Sequence, residues 1–156
     1  MKKYFIGSVK FNRNIDSDGE ASSKSVTEQI MMDAVSYTDA EKRINEHMEA
    51  LAKEGECAGT FSIPNIAQKE FRDIFHSGED EGNFYEAKVT HFTFDNEKDR
   101  EVKTTLLYLV QGFTFDDARG LLKLAMDEIE GGYEINGLVK SKILDVQLLN
   151  TSESEN

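Results

Sequence analysis

The segment NIDSDGEASSKS, residues 14–25, has residue types that could coordinate a metal ion. Oxygen-bearing side chains and a glycine stand at calcium-loop spacing, at Asn14, Asp16, Asp18 and Gly19. The twelfth position is Ser25, however, where such a loop needs a glutamate that supplies two oxygens. The flanking residues have the alternation of strands and not the pattern of helices. We therefore expect a hairpin loop here and no metal site.

The other reactive side chains do not indicate catalysis. His47, His76 and His91 fall on a predicted helix, linker and strand, without the spacing of a metal-binding helix. Cys57 is the only cysteine, so neither an intrachain disulfide nor a thiolate metal cluster can form. No serine elbow, phosphate-binding glycine loop or dinucleotide fingerprint occurs. We expect a protein that is not an enzyme and uses no cofactor.

A third group of residues combines positive charge with aromatic rings. If helices cover one face of the sheet, the opposite face carries Tyr4, Lys10, Arg72, Phe84, Lys88, Lys140 and Lys142. The cations would pair with phosphates while the rings of Tyr4 and Phe84 stack on bases, as on surfaces that bind single-stranded nucleic acid.

Two alternatives remain open for that face. Glu70 and Glu86 also lie on it, so it could be an ordinary polar outer face. It also carries four apolar residues through which two copies could pair, namely Ile6, Ile66, Leu138 and Leu144.

Composition limits the function classes. The 156 residues are 38% hydrophobic and 31% charged, which is typical of a globular protein. The net charge of −12 repels nucleic acid unless a local basic patch exists, and it favours basic protein partners. The opening MKKYFIGSVKF lacks the apolar run of a signal peptide. Together with the single cysteine, this predicts a soluble, cytoplasmic protein.

The elements that would position these residues occur twice. SYTDAEKRI at 36–44 corresponds to TFDDARGLL at 114–122 with an offset of 78 residues. The strand before it matches at an offset of 80 (YFIGSV with FYEAKV), and the strand after it at 72 (Asp73 with Asp145). Apolar residues fall on apolar residues in one consistent order, which is typical of a duplicated unit.

Each copy predicts two strands, a helix and one long final strand. In the first copy the strands are 4–12, 26–37 and 60–75; in the second they include 106–110 and 133–149. Thr38 with Glu41 would cap the first helix, and Asp116 the second. Pro64 lacks an amide donor, which favours an edge strand or a bulge. The helix-covered face is predicted to carry Phe5, Val9, Phe61, Ile63, Phe71, Ile135 and Val139.

The predicted fold is therefore α+β. Two tandem ββαβ repeats, 4–75 and 84–147, would be related by pseudo-symmetry and form an antiparallel sheet with one face covered by two helices. Residues 76–83 would be a linker and 150–156 a flexible acidic tail.

The segments YFIGSVKF, VTEQIMMDAVSYTDAEKRI, FYEAKVTHF, LLYLV and FTFDDARGLL also carry a resemblance. They resemble an uncharacterised domain-of-unknown-function family of gut anaerobic bacteria and their tailed phages. The resemblance covers nearly the whole chain and implies a phage or mobile-element setting, but no catalytic residues to carry over. The strand-rich halves are also loosely similar to the transcriptional-coactivator type of single-stranded DNA-binding fold.

These observations predict a non-enzymatic binding protein, most concretely one that binds single-stranded nucleic acid in phage or mobile-element replication. The alternative is an acidic adaptor or inhibitor that binds a host or phage protein.

Overall fold

The computed structural model describes residues 2–17, 20–76 and 82–148, and it confirms the α+β class. The elements in these ranges are β1 Lys2–Ser17, β2 Glu20–Met32, α1 Tyr37–Lys53, β3 Cys57–Phe71, β4 Asp73–Phe75, β5 Asn83–Asp95, β6 Arg100–Gly112, α2 Phe115–Asp127, β7 Gly132–Lys140 and β8 Ile143–Gln147. The predicted tail 150–156 and most of the predicted linker lie outside the described residues. Neither described helix has the length and apolar character that a membrane span requires.

The strands form two four-stranded sheets, each covered by one helix. The strand order is β3-β1-β2-β8 in the first sheet and β7-β5-β6-β4 in the second. Position by position, β3 corresponds to β7, β1 to β5 and β2 to β6, and each of these strands comes from the half of the chain that forms most of its sheet. The fourth strands, β8 and β4, are exchanged between the halves. One of the two outermost strands of each sheet, β8 or β4, thus comes from the other half of the chain.

This exchange divides the long final strand that the sequence predicts in each half. The predicted strand 60–75 ends as β3 at Phe71, and β4 pairs with β6. The predicted strand 133–149 ends as β7 at Lys140, and β8 pairs with β2. The compact units are accordingly a first unit, Lys3–Lys69 with Ile143–Asn156, and a second unit, Met1–Lys2 with Glu70–Lys142.

The exchanged strands pair with the same register in both sheets. In the first sheet the parallel pairs are Ile30 with Asp145, Met31 with Val146 and Met32 with Gln147. In the second sheet they are Tyr108 with Asp73, Leu109 with Ile74 and Val110 with Phe75. For each of these three pairs, the β2 residue corresponds to the β6 residue at an offset of 78, and the β4 residue corresponds to the β8 residue at an offset of 72. The internal correspondence therefore reaches the level of individual strand partners.

The core of the first unit lies between α1 and one face of its sheet. Phe5, Val9 and Phe11 alternate along β1, and all three are buried against the helix. The helix contributes its stripe Ala40, Ile44 and Met48. Gly7 lies between them on the same strand face, where a Cβ atom would collide with Ile44 Cδ1. The missing Cβ atom at Gly7 thus leaves the space that the end of the Ile44 side chain occupies.

The core of the second unit uses corresponding positions. Ala118, Leu122 and Met126 of α2 are fully buried, as are Ala87 and Val89 of β5. These residues match Ala40, Ile44, Met48, Gly7 and Val9 at the offsets found in the sequence. Each helix therefore buries one apolar stripe against its sheet, at equivalent positions in the two units.

Two strands depart from the alternation on which the predicted faces were based. Between Lys88 and Val89 the pairing of β5 with β7 shifts by one residue. Val139 consequently pairs with Glu86 and is exposed, so its predicted burial is wrong. Because of the same shift, Leu138 packs in the second core, although the sequence predicted it on the opposite face.

The second departure lies in β3, close to Pro64. Phe61 and Ile63 pack under α1 as predicted, but the next strand residue in that core is Ile66 instead of an odd-numbered residue. The alternation therefore changes between Ile63 and Ile66. β3 is an outermost strand of its sheet, which confirms the edge position predicted from Pro64.

Both helix caps lie two residues before the predicted positions. The Ser36 hydroxyl accepts a hydrogen bond from Asp39 N at 3.0 Å, and Val35 N donates to Asp39 Oδ2 at 3.1 Å. The Thr114 hydroxyl accepts from Asp117 N at 3.1 Å. Ser36 and Thr114 have the extended backbone of an N-cap, whereas Thr38 and Asp116 are already helical.

Arg43 of α1 forms a largely buried ion pair at the end of β2 and also bonds to the exchanged strand β8. Arg43 Nη1 lies 3.0 Å from Asp33 Oδ1, and Arg43 Nη2 donates to the backbone oxygen of Gln147 at 3.1 Å. Arg43 Nε has no hydrogen-bond partner within the described part of the chain. The second unit has Gln111 and Leu121 at the positions equivalent to Asp33 and Arg43.

We expect Ser36→Ala and Thr114→Ala each to lower the free energy of unfolding by about 1 kcal/mol, because each leaves a first-turn amide without its acceptor. Urea denaturation measures this change. The matched control is Thr38→Ala, which removes an exposed hydroxyl inside the first turn and should cost less than about 0.5 kcal/mol. A larger loss for Thr38→Ala than for Ser36→Ala would contradict the cap assignment.

We expect Asp33→Ala to cost about 3 kcal/mol in denaturant unfolding, because it leaves the buried Arg43 charge without its carboxylate. The double variant Asp33→Gln/Arg43→Leu, which copies the second unit, should lose clearly less, since no buried charge remains. A double variant as unstable as the single one would show that the ion pair is not the source of the loss.

Candidate binding surfaces

The structure does not bring the seven predicted nucleic-acid residues onto one open face. Tyr4 is 6% exposed and Phe84 is 7% exposed, so neither ring offers a free face on which a base could stack. The predicted stacking role of these two residues is therefore wrong. Lys10, Arg72, Lys88, Lys140 and Lys142 are all exposed, as their predicted role requires.

The exposed cations also differ in their placement. Lys10 belongs to the first unit and the other four belong to the second. Lys140 pairs directly with Tyr85, whose side chain packs under α2, whereas Lys88 lies on the opposite face of the same strand. The shifted register of β7, which the sequence pattern does not reveal, separates these two lysines.

Arg72 lies close to a pair formed by buried Tyr108 and partly buried His91. His91 Nε2 and the Tyr108 hydroxyl are 2.8 Å apart, and the Tyr108 ring stacks on Phe75 of β4 with centroids 5.5 Å apart. Burial lowers the pKa of His91, and the positive charge of Arg72 lowers it further. Burial raises the pKa of Tyr108, with the Arg72 charge acting in the opposite direction. The neutral forms favoured here suit a packed structural hydrogen bond.

An open cleft of about 680 Å³ lies within the second unit, and we call it the Phe92 cleft. It is lined by Phe92, Thr93, Phe94, Glu101, Glu130, Gly131 and Gly132. Phe92 and Phe94 lie on one face of β5, and Glu101 on β6 pairs directly with Phe94. Glu130 follows α2. The cleft thus combines two aromatic rings with two carboxylates.

Local backbone structure shapes both ends of this cleft. Gly131 has a φ of +96°, and a Cβ atom there would lie 2.8 Å from the backbone oxygen of Phe92, so only glycine fits. At the hairpin between β5 and β6, Asp95 Oδ1 accepts hydrogen bonds from the amides of Glu97 and Lys98 at 3.0 and 3.3 Å. These contacts fix the backbone at Phe92 and at Asp95, which follows Phe94.

A second surface feature occurs once in each unit, where a strand leads into a helix. Val35 and Tyr37 flank the cap residue of α1 and are 81% and 53% exposed. Phe113 and Phe115 flank the cap residue of α2 and are 50% and 47% exposed. The offset of 78 residues relates Val35 to Phe113 and Tyr37 to Phe115. We call these two pairs the junction pairs.

The aromatic member of each junction pair is held by a core ring. Tyr37 meets Phe5 edge to face with centroids 4.8 Å apart, and Phe115 meets Tyr85 in the same way at 6.2 Å. The interplanar angle is 79° in both. Each exposed ring is therefore anchored at one edge while the rest of its surface faces outward.

Sequence reasoning missed both features, although a signal for each was present. Phe92 and Phe94 continue the even-numbered face of β5 that already contains Phe84 and Lys88. Tyr37 and Phe115 stand inside the repeated phrase, and Val35 and Phe113 directly precede it. Their exposure could not be read from their apolar character alone.

The predicted absence of a metal loop concerns residues 14–25, of which Asp18 and Gly19 lie outside the described residues. The segment forms the facing ends of β1 and β2, with Asn14 opposite Ser23, as a hairpin requires. Asn14 Nδ2 donates to the backbone oxygen of Gly55 at 2.9 Å. Within the described ranges, no three histidine, cysteine or acidic side chains form a group that could hold a metal.

Comparison with known proteins gives a family but no named relative. No curated protein and no solved structure matches the chain. One family model does match, over residues 3–148, and its description is Domain of unknown function (DUF4494). Since this match spans both units and nearly all described residues, the chain belongs to the DUF4494 family.

Proposed function

We propose that this protein is a non-enzymatic binding module whose two junction pairs, one in each unit, are each a docking site for a protein partner. The observation that carries the proposal is that the same two apolar positions are exposed in both halves. Single exposed apolar residues are ordinary on protein surfaces. An equivalent exposed pair in each unit is different, because neither core requires large apolar side chains at these places.

The geometry of the junction rings favours binding. Tyr37 and Phe115 are each fixed at one edge by a buried ring, so they would lose little conformational freedom in a complex. Aromatic side chains with restricted motion are the usual anchors of protein interfaces.

Charge indicates the kind of partner. The chain has a net charge of −12, and exposed Asp116 and Asp117 follow the second junction directly. Such a surface attracts basic proteins and repels acidic ones. We therefore propose a basic partner with apolar side chains that cover a junction pair. The resemblance to phage and gut-bacterial proteins suggests a cytoplasmic partner in such a bacterium or its phage.

Binding of single-stranded nucleic acid is the second candidate. Exposed Lys88 lies on the same face of β5 as Phe92 and Phe94, which supports it. Glu101 and Glu130 stand beside those rings, however, and would repel phosphate. Protein docking is therefore the stronger proposal.

We expect Val35→Ser/Phe113→Ser to abolish capture of the partner from lysates of gut anaerobic bacteria, with stability nearly unchanged because both residues are exposed. Each single variant should weaken capture. Affinity capture followed by mass spectrometry identifies the partner, and its retention should fall as salt is raised.

The matched control is Leu124→Ser, which removes an apolar side chain of 69% exposure from the outer surface of α2. It should leave capture unchanged. Equal loss with Leu124→Ser, or no loss with the junction variant, would contradict the proposal. A low-salt gel shift with single-stranded oligonucleotides, lost in Lys88→Glu and unchanged in Val35→Ser/Phe113→Ser, would favour the second candidate instead.

A further inference from the structure

We propose that the Phe92 cleft binds a guanidinium or alkylammonium cation, as presented by an arginine or lysine side chain. This inference goes beyond docking at the junction pairs. It concerns a different surface, lies entirely within the second unit and uses none of the junction residues.

The rings supply one half of the recognition chemistry. Aromatic faces attract cations through their quadrupole. Phe92 already shows this behaviour within the protein, because Lys103 Nζ lies 5.7 Å from its ring centroid. Phe94 is 60% exposed and has no such cation over its ring within the described part of the chain. A second cation could therefore be accepted at Phe94.

The carboxylates supply the other half. Glu101 and Glu130 both line the cleft, and within the described ranges neither forms an ion pair or a side-chain hydrogen bond. The lining includes no lysine, arginine or histidine. A bound anion would face two negative charges with only Lys103 nearby to offset them, whereas a cation would gain both carboxylates and a ring.

The shape of the cleft indicates how the cation arrives. Its volume of about 680 Å³ is far larger than one head group, and the cleft is open to solvent. A side chain reaching in from an extended peptide fits such a site better than an enclosed small molecule, because the peptide backbone can occupy the open part. Arginine suits it best, since its planar guanidinium can stack on Phe94 while donating to a carboxylate.

The test is an NMR titration of the ¹⁵N-labelled full chain, following the amide signals of Gly131 and Gly132. The probes are N-acetyl-arginine amide, the same arginine within a neutral glycine pentapeptide, and N-acetyl-citrulline amide as an uncharged isostere. We expect both arginine probes to shift these signals and the citrulline probe to leave them in place. Tighter binding of the peptide than of the single residue indicates a protein segment as the source, and equal binding a free small cation.

Variants of the lining sharpen the test. Glu101→Gln/Glu130→Gln should weaken arginine binding about fivefold. Phe94→Leu should weaken it about threefold, because it keeps the apolar surface but removes the ring face. Lys103→Met should strengthen it about twofold, since it removes a competing positive charge. Glu97→Gln removes an exposed carboxylate outside the lining and should change nothing.

The proposal is overturned if citrulline shifts the glycine signals as arginine does, if no probe shifts them, or if Glu97→Gln weakens binding as much as the lining variants. Val35→Ser/Phe113→Ser should bind arginine normally. Failure at the cleft and failure at the junction pairs are therefore separate results.

Discussion

The structure depends on one constraint. The second strand of each hairpin, β2 or β6, pairs with a strand from the other half of the chain. Without β8 and β4, the strands β2 and β6 would be edge strands with a row of unpaired backbone groups. Met31 and Leu109, at the centre of these two pairings, are fully buried. Neither half of the sequence can complete its own sheet, so the repeat of the sequence is not the unit of folding.

The same constraint determines where each helix begins. After pairing with its exchanged strand, β2 ends at Met32 and β6 ends at Gly112, and the chain must turn onto the covered face within a few residues. Ser36 and Thr114 cap the helices at that point. Of the two apolar residues that flank each cap, Tyr37 or Phe115 meets a core ring edge to face, and most of its surface stays exposed. The exposed junction pairs are thus a consequence of the fold.

Local periodicity was enough to predict the class, the repeat and most of the core. Val9, Ile44 and Leu122 follow strand or helix spacing, and spacing depends on backbone geometry alone. The caps were harder, because Ser36 and Thr38 are both good cap residues and only the end of β2 decides between them. The strand exchange is non-local. The apolar alternation of the final strand runs on past Phe71 with no sign that its partner changes.

The candidate site was predictable only in part, for a related reason. Periodicity separates the two faces of a strand but does not reveal what covers the second one. Tyr4 and Phe84 were placed correctly on the face away from the helices, yet both are buried. The one-residue shift opposite Lys88 then moved Lys140 to the other face. Phe92 and Phe94 could have been assigned to the same face as Phe84 by following the alternation of β5 to the end of the strand.

Interproton contacts measured by NMR distinguish exchanged strands from strands kept within each half of the chain. If the strands are exchanged, backbone contacts occur between Val146 and Met31 and between Ile74 and Leu109. Contacts of Ile74 with Met31 and of Val146 with Leu109 would mean that each half keeps its own final strand. That result would contradict the exchange and the shared register derived from it.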